Sequence, residues 1–146
     1  MTSHITTLDL SPEHDWSRFL VPAARALFAF VFLFSASGHF SAQSIAYATQ
    51  NGVPFAQILV PLSGVLALLG GLSVLLGYQA KLGAWLLVAF LVPVTLTMHR
   101  FWGLTDPMQA MMQRVMFLKN VTILGGALFI AYFGAGPLSL DELKKH

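Results

Sequence analysis

Cysteine is absent from all 146 residues. That excludes disulfides, thiolate metal sites, cysteine-held iron–sulfur clusters and a cysteine nucleophile. Charge is nearly as scarce. Only 10% of residues are charged and the formal net charge is +2, whereas a soluble globular chain carries about 25% charged residues. No basic run is present to track nucleic acid. The long apolar stretches contain no acidic residue, which argues against a proton relay built on intramembrane carboxylates. No internal repeat or pair of broken helices points to a secondary transporter, and a small-solute permease has no continuous polar stripe to use. Residues 1–20 lack the basic start and short apolar core of a secretory signal. Ser35-Ala36-Ser37-Gly38 superficially resembles a cleavage site, but cutting there would remove the first apolar stretch.

What the chain does have is apolar length. Hydrophobic residues make up 56% of it, gathered into Val21–His39, Pro54–Leu76, Leu82–Met98 and Val115–Phe133. Each has the roughly 17–25 residues that cross a hydrocarbon core as a helix. The expected fold is therefore all-α: an integral membrane four-helix bundle with short loops and short polar tails. The polar N-terminal tail is 1–20, the transmembrane domain 21–137 and the C-terminal tail 138–146. Pro22 suits a first helical turn, Asn51-Gly52 reads as a turn, and Ser44–Gln50 as a short interfacial helix with Tyr47 at headgroup depth. Gly103 to Pro107 forms the third connection. Ser139-Leu140-Asp141-Glu142 resembles a capped start to a short polar helix.

Small residues recur every fourth position as Ser63, Ala67, Gly71 and again as Ala127, Ala131, Ala135, a spacing that lets helix backbones approach closely. Four spans put both termini on one side. That side carries Arg18, Arg25, Lys81, Lys144 and Lys145, against Arg100, Arg114 and Lys119 on the other. The positive-inside bias then places both termini in the cytoplasm.

Costly nitrogen-bearing groups gather near the opposite rim. His39 ends the first stretch, His99 and Arg100 end the third, and Lys119 and Asn120 open the fourth, with Trp102 at aromatic-belt depth. These six are the candidate ligand-binding residues. Lys119 is the sharpest, because an ammonium within an apolar run costs about 2–3 kcal/mol unless it snorkels or finds a partner. Its nearest acidic candidate is Asp106. Arg100 reads as a phosphate anchor, and the two imidazoles as headgroup or backbone partners. Haem or copper has no ligand-spacing motif behind it, so no metal site is assigned. Arg25 lies about 21 Å from His39 along the first helix and reads either as a snorkelling cation or as a structural polar group holding the bundle. Phe28, Phe32 and Leu33 between them read as packing, although such walls also suit a quinone ring.

Several elements together resemble the DoxX family of bacterial four-span membrane proteins. They are Ala24-Arg25-Ala26-Leu27, the run Gly64 to Gly71, Met98-His99-Arg100-Phe101-Trp102, Phe117-Leu118-Lys119-Asn120 and Gly134 to Asp141. The resemblance covers about Pro22 to Leu143. It implies a multi-pass protein of the bacterial inner membrane, and for some members an association with oxidase or thiosulfate:quinone oxidoreductase complexes. Arg25, His99, Lys119 and Asn120 match the family pattern. Many relatives carry a Glu where this chain has Ala67.

The leading expectation is then a quinone- or lipid-binding accessory subunit of a membrane redox complex. Its partners would be the lipid bilayer, a redox protein and, as a further candidate, a second copy of the chain. If enzymatic, it would be a non-autonomous oxidoreductase subunit, with quinone as the cofactor in view and Lys119 and His99 on its carbonyl. The competing expectation is a non-catalytic scaffold, assembly or stress-integrity protein.

Overall fold

A computed structural model describes residues 15–144; residues 1–14 of the N-terminal tail lie outside the described residues. A 3-10 turn, Asp15–Phe19, leads into α1 (Leu20–Ala36), which a second such turn, Ser37–Phe40, extends. The chain continues through α2 (Ala42–Gln50), α3 (Ala56–Leu76), α4 (Ala80–Met98), α5 (Pro107–Phe133) and the single turn α6 (Leu140–Leu143). Four segments are long and apolar enough to cross a membrane: Leu20–Phe40, Ala56–Leu76, Ala80–Met98 and Pro107–Phe133. The chain is an all-α, four-span bundle.

Local chemistry sets the helix ends. Ser41 caps α2, its Oγ accepting from Ser44 N at 3.2 Å. The last span departs from expectation, because α5 begins eight residues before Val115. Asp106 Oδ1 accepts from Met108 N and Gln109 N at 2.8 and 2.9 Å, and Pro107 takes the first turn, where its missing N–H is not needed. A side-chain cap overrides the weak hydropathy of Met108–Arg114. Lys119 consequently lies twelve residues into α5, about 18 Å along its axis, rather than one turn in. Asp106 is spent on the cap at that distant end, so the expected Lys119–Asp106 pair does not form.

The interior is built from small residues. Ala29, Ala67, Ala84 and Ala127 are fully buried and the glycines of α3 at 64, 70 and 71 are buried, whereas Leu27 and Phe34 are 78% and 76% exposed. This inverts the soluble pattern. In lipid, large apolar side chains gain little by turning inward, and helices associate by close backbone packing. α3 packs against α1 and α4, and α4 against α5. The α3–α4 crossing is tight at Gly70, where an added Cβ would sit 2.9 Å from Gly83 O and 2.7 Å from Leu87, and tighter still at Gly83 against Ser73. Ala67, Gly71, Ala127 and Ala135 of the two small-residue stripes are buried.

The two ends of the bundle are closed differently. At the end carrying the C-terminal segment, α1 meets α5 directly, the Phe28 ring lying against Gly126. There Gly134–Leu143 folds back beneath the α3–α4 turn. Arg25 Nη1 and Nη2 donate to Ala135 O at 3.0 Å and Leu138 O at 2.7 Å. Asp141 Oδ1 and Oδ2 accept from Gln79 N and Ala80 N at 2.7 and 2.9 Å, capping α4. Gly77 (φ +62) has no room for a Cβ, which would meet the Arg25 guanidinium. At the other end, α1 and α5 stand apart around a cavity.

A polar-rimmed cleft at the open end

The cavity is about 940 Å³, lined by α1, α2, α3, α4 and α5. Its walls are largely apolar, with Phe32, Leu66, Phe90, Val94 and Ile123 among them. Pro93 contributes to the wall and cannot donate to Ala89 O, one turn back.

Four of the six candidate residues line this space: His39, His99, Lys119 and Asn120. His39 projects from the turn after α1 because Gly64 leaves it room, an added Cβ there sitting 2.7 Å from His39 Cβ. Its Nδ1 lies 2.9 Å from Ser63 Oγ, and Ser63 already donates to Val60 O at 2.7 Å. The hydroxyl's one proton is thus committed, and the imidazole Nδ1–H is the donor, which leaves Nε2 as an acceptor. His99 ends α4, with Nδ1 2.9 Å from Gln113 Oε1. Gln113 Nε2 donates in turn to Tyr47 OH at 3.3 Å. This chain of bonds ties α4, α5 and α2 together across the rim.

Lys119 lies on α5 two turns beyond Gln113, and its side chain leans back towards the rim, as helical side chains do. Its ammonium contacts Met116 Sδ at 3.2 Å, a weak acceptor. Asn120 is 8% exposed and, among the described residues, its carboxamide has no hydrogen-bond partner. The lining holds no acidic residue, and Lys119 is its one permanent charge.

The other two candidates are elsewhere. Arg100 Nη2 donates to Asn51 O at 3.3 Å, fastening the α4–α5 connection to the end of α2. Trp102 packs edge-on with Phe101 and Phe117, at 5.3 and 5.8 Å between ring centroids. Arg25 is at the locked end, 5% exposed, its Nη atoms bonded as above and its Nε buried without a partner. Sequence reasoning missed Gln113, Tyr47 and Ser63 as cleft partners. The signal available was one glutamine amid Met111, Met112 and Met116, and Ser63 counted only as a small residue.

The sequence model of the SURF4 family matches residues 5–146. The chain belongs to the SURF4 family. A Surfeit locus protein 4 homolog of Schizosaccharomyces pombe is 28% identical over 134 residues, which is 91% of this SURF4-family chain and 40% of that protein. The ER-derived vesicles protein ERV29 of Saccharomyces cerevisiae is 32% identical over 69 residues, 47% of this chain and 22% of its own. A Surfeit locus protein 4 homolog of Drosophila melanogaster is 34% identical over 71 residues, 47% of this chain and 26% of its own. The chain thus spans well under half the length of these relatives. No solved structure matches it.

These matches correct three expectations. The family is SURF4 and not DoxX. The shared elements were a generic four-span pattern and short polar clusters at helix ends, and bilayer depth alone favours such residues there. The redox accessory subunit with its quinone rested on that resemblance and falls with it. So does the bacterial inner membrane: the relatives are from yeasts and fly, and one is named for ER-derived vesicles.

Proposed function

We propose that this chain is the receptor-like core of a vesicle-membrane protein, holding a client through the open-end cleft. The observation that carries this reading is the cleft itself. It is a mostly apolar cavity of about 940 Å³, within the 300–1,000 Å³ range of ligand sites, with a few convergent polar groups. Two of those groups, the Lys119 ammonium and the Asn120 carboxamide, lack good protein partners. The likeness to a protein of ER-derived vesicles supports the membrane in which this would happen. Binding fits the lining better than catalysis does: the one serine–histidine pair on the wall, Ser63 and His39, has the hydroxyl proton given to Val60 O and the imidazole donating to the hydroxyl, the reverse of an activated nucleophile.

A budding reaction from ER membranes tests the reading. The tagged chain should enter budded vesicles more efficiently than a resident ER membrane protein. A photo-reactive residue at Thr97, on the cleft wall, should capture a client, while the same probe at Leu27, on the outer face of the locked end, should not. Exclusion from the vesicles together with no Thr97-specific adduct would refute it.

A further inference from the structure

A receptor cleft needs a way in, and α2 lies across it. We infer that α2 is a lid, hinged at Gly52–Phe55, that lifts before a client reaches the cleft; this inference rests on the receptor reading above.

α2 lines the cavity along its length, from Gln43 through Tyr47 to Gln50, and it packs on α3 and on the turn before it. Its one buried residue is Ala48, a single methyl group that a lifting helix gives up at little cost. The bonds within α2 are local. Ser41 caps its start, and Gly52 N and Val53 N donate back to Thr49 O and Ala48 O at 3.0 Å. Residues 41–53 therefore move as one piece. Among the described residues, only two hydrogen bonds join that piece to a distant part of the chain. Arg100 Nη2 donates to Asn51 O and Gln113 Nε2 to Tyr47 OH, each at 3.3 Å, longer than a strong bond of this kind. Both reach in from the α4–α5 side, and His99 steadies Gln113 for one of them. These two bonds are the latches.

The hinge carries its own signs. An added Cβ at Gly52 (φ +79) would meet nothing within 4 Å, so nothing crowds the chain there as it turns. Phe55 stands at φ +50, a left-handed conformation that a bulky residue adopts only under constraint. Its side chain is 77% exposed, so packing does not compensate the strain. The strain belongs to the closed arrangement. A return of Phe55 to negative φ rotates the preceding chain relative to α3 and carries α2 with it.

The test uses the full chain in lipid nanodiscs. With no native cysteine, spin labels placed at Thr49 and Leu118, both exposed, report the α2–α5 distance by double electron–electron resonance. Labels at Leu69 and Leu118 report the α3–α5 distance as a control. The first pair should show a minor, longer component. That component should grow roughly fivefold or more in Arg100→Gln/Gln113→Ala and shrink in Phe55→Gly, where the left-handed conformation costs nothing. A first pair that ignores the loss of both latches overturns the inference, as does a control pair that lengthens equally. Client entry is read in the budding reaction with the photo-reactive residue at Thr97. In Tyr47→Cys/Gln113→Cys, a reducible bis-methanethiosulfonate bridge should lower Thr97 capture roughly tenfold, and reductant should restore it. The spin-label distances decide the matter should the cysteine pair fail to fold. Capture that persists across the bridge defeats the lid and leaves the receptor reading standing. Absence of capture in the otherwise unaltered chain defeats the receptor reading and takes this inference with it.

Discussion

The locked end and the open end are built from the same helices, yet they treat polar groups in opposite ways. At the locked end nearly every costly group is spent internally. Arg25 spends both Nη groups on the carbonyls of Ala135 and Leu138, with Nε alone left over, and Asp141 is spent on two backbone N–H groups. At the open end the imidazoles are anchored through one nitrogen only, and Lys119 and Asn120 are left with a thioether and with nothing. The lesson is that internal satisfaction marks a structural polar residue in a membrane bundle, and residual hydrogen-bonding capacity marks a site.

That contrast can be broken. The largest effect is expected from Arg25→Leu, which leaves the buried Ala135 carbonyl and the half-buried Leu138 carbonyl unpaired and should cost about 2–4 kcal/mol, read as a lowered midpoint of unfolding in mixed micelles. Equal stability would mean that the fold-back holds without it. Gly77→Ala sets a side chain at φ +62 against the same guanidinium and should cost about 1–3 kcal/mol. Asp141→Ala removes the α4 cap, for about 1–2 kcal/mol, and should expose the 134–143 segment to protease. Gln113→Ala cuts the link from His99 to Tyr47 and should cost about 1 kcal/mol, with faster alkylation of a cysteine probe at Ser35 on the cleft wall. The smallest effect sharpens the contrast by its sign. Asn120→Leu replaces an unpartnered amide with an apolar group of similar size and should be neutral or stabilising by up to about 1 kcal/mol. A clear loss of stability there would show that the carboxamide is structural after all.

The spans were readable because hydrocarbon thickness fixes helix length. The cap at Ser139 was readable because it is local. What failed was long-range or weakly encoded. The start of α5 depends on one aspartate ahead of a proline, against a stretch of modest hydropathy, and that misjudgement put Lys119 about two turns too near the helix end. Four of the six candidates do line one cleft, but Trp102 goes to an aromatic cluster and Arg100 to Asn51 because both sit in the α4–α5 connection, outside any helix. The path of such a loop is set by its tertiary contacts and not by sequence spacing. The hold of Arg25 on residues 135–138 spans more than a hundred positions and leaves no local trace.

The α4 cap is supplied by a residue some sixty positions further along the chain. During synthesis the first three spans leave the ribosome before Asp141 exists, so the amide groups that open α4 must wait in water or headgroups. The closed end is therefore the last part of the bundle to mature. A chain halted before residue 141 would present a threaded but unlatched intermediate, which is the form that quality control would meet.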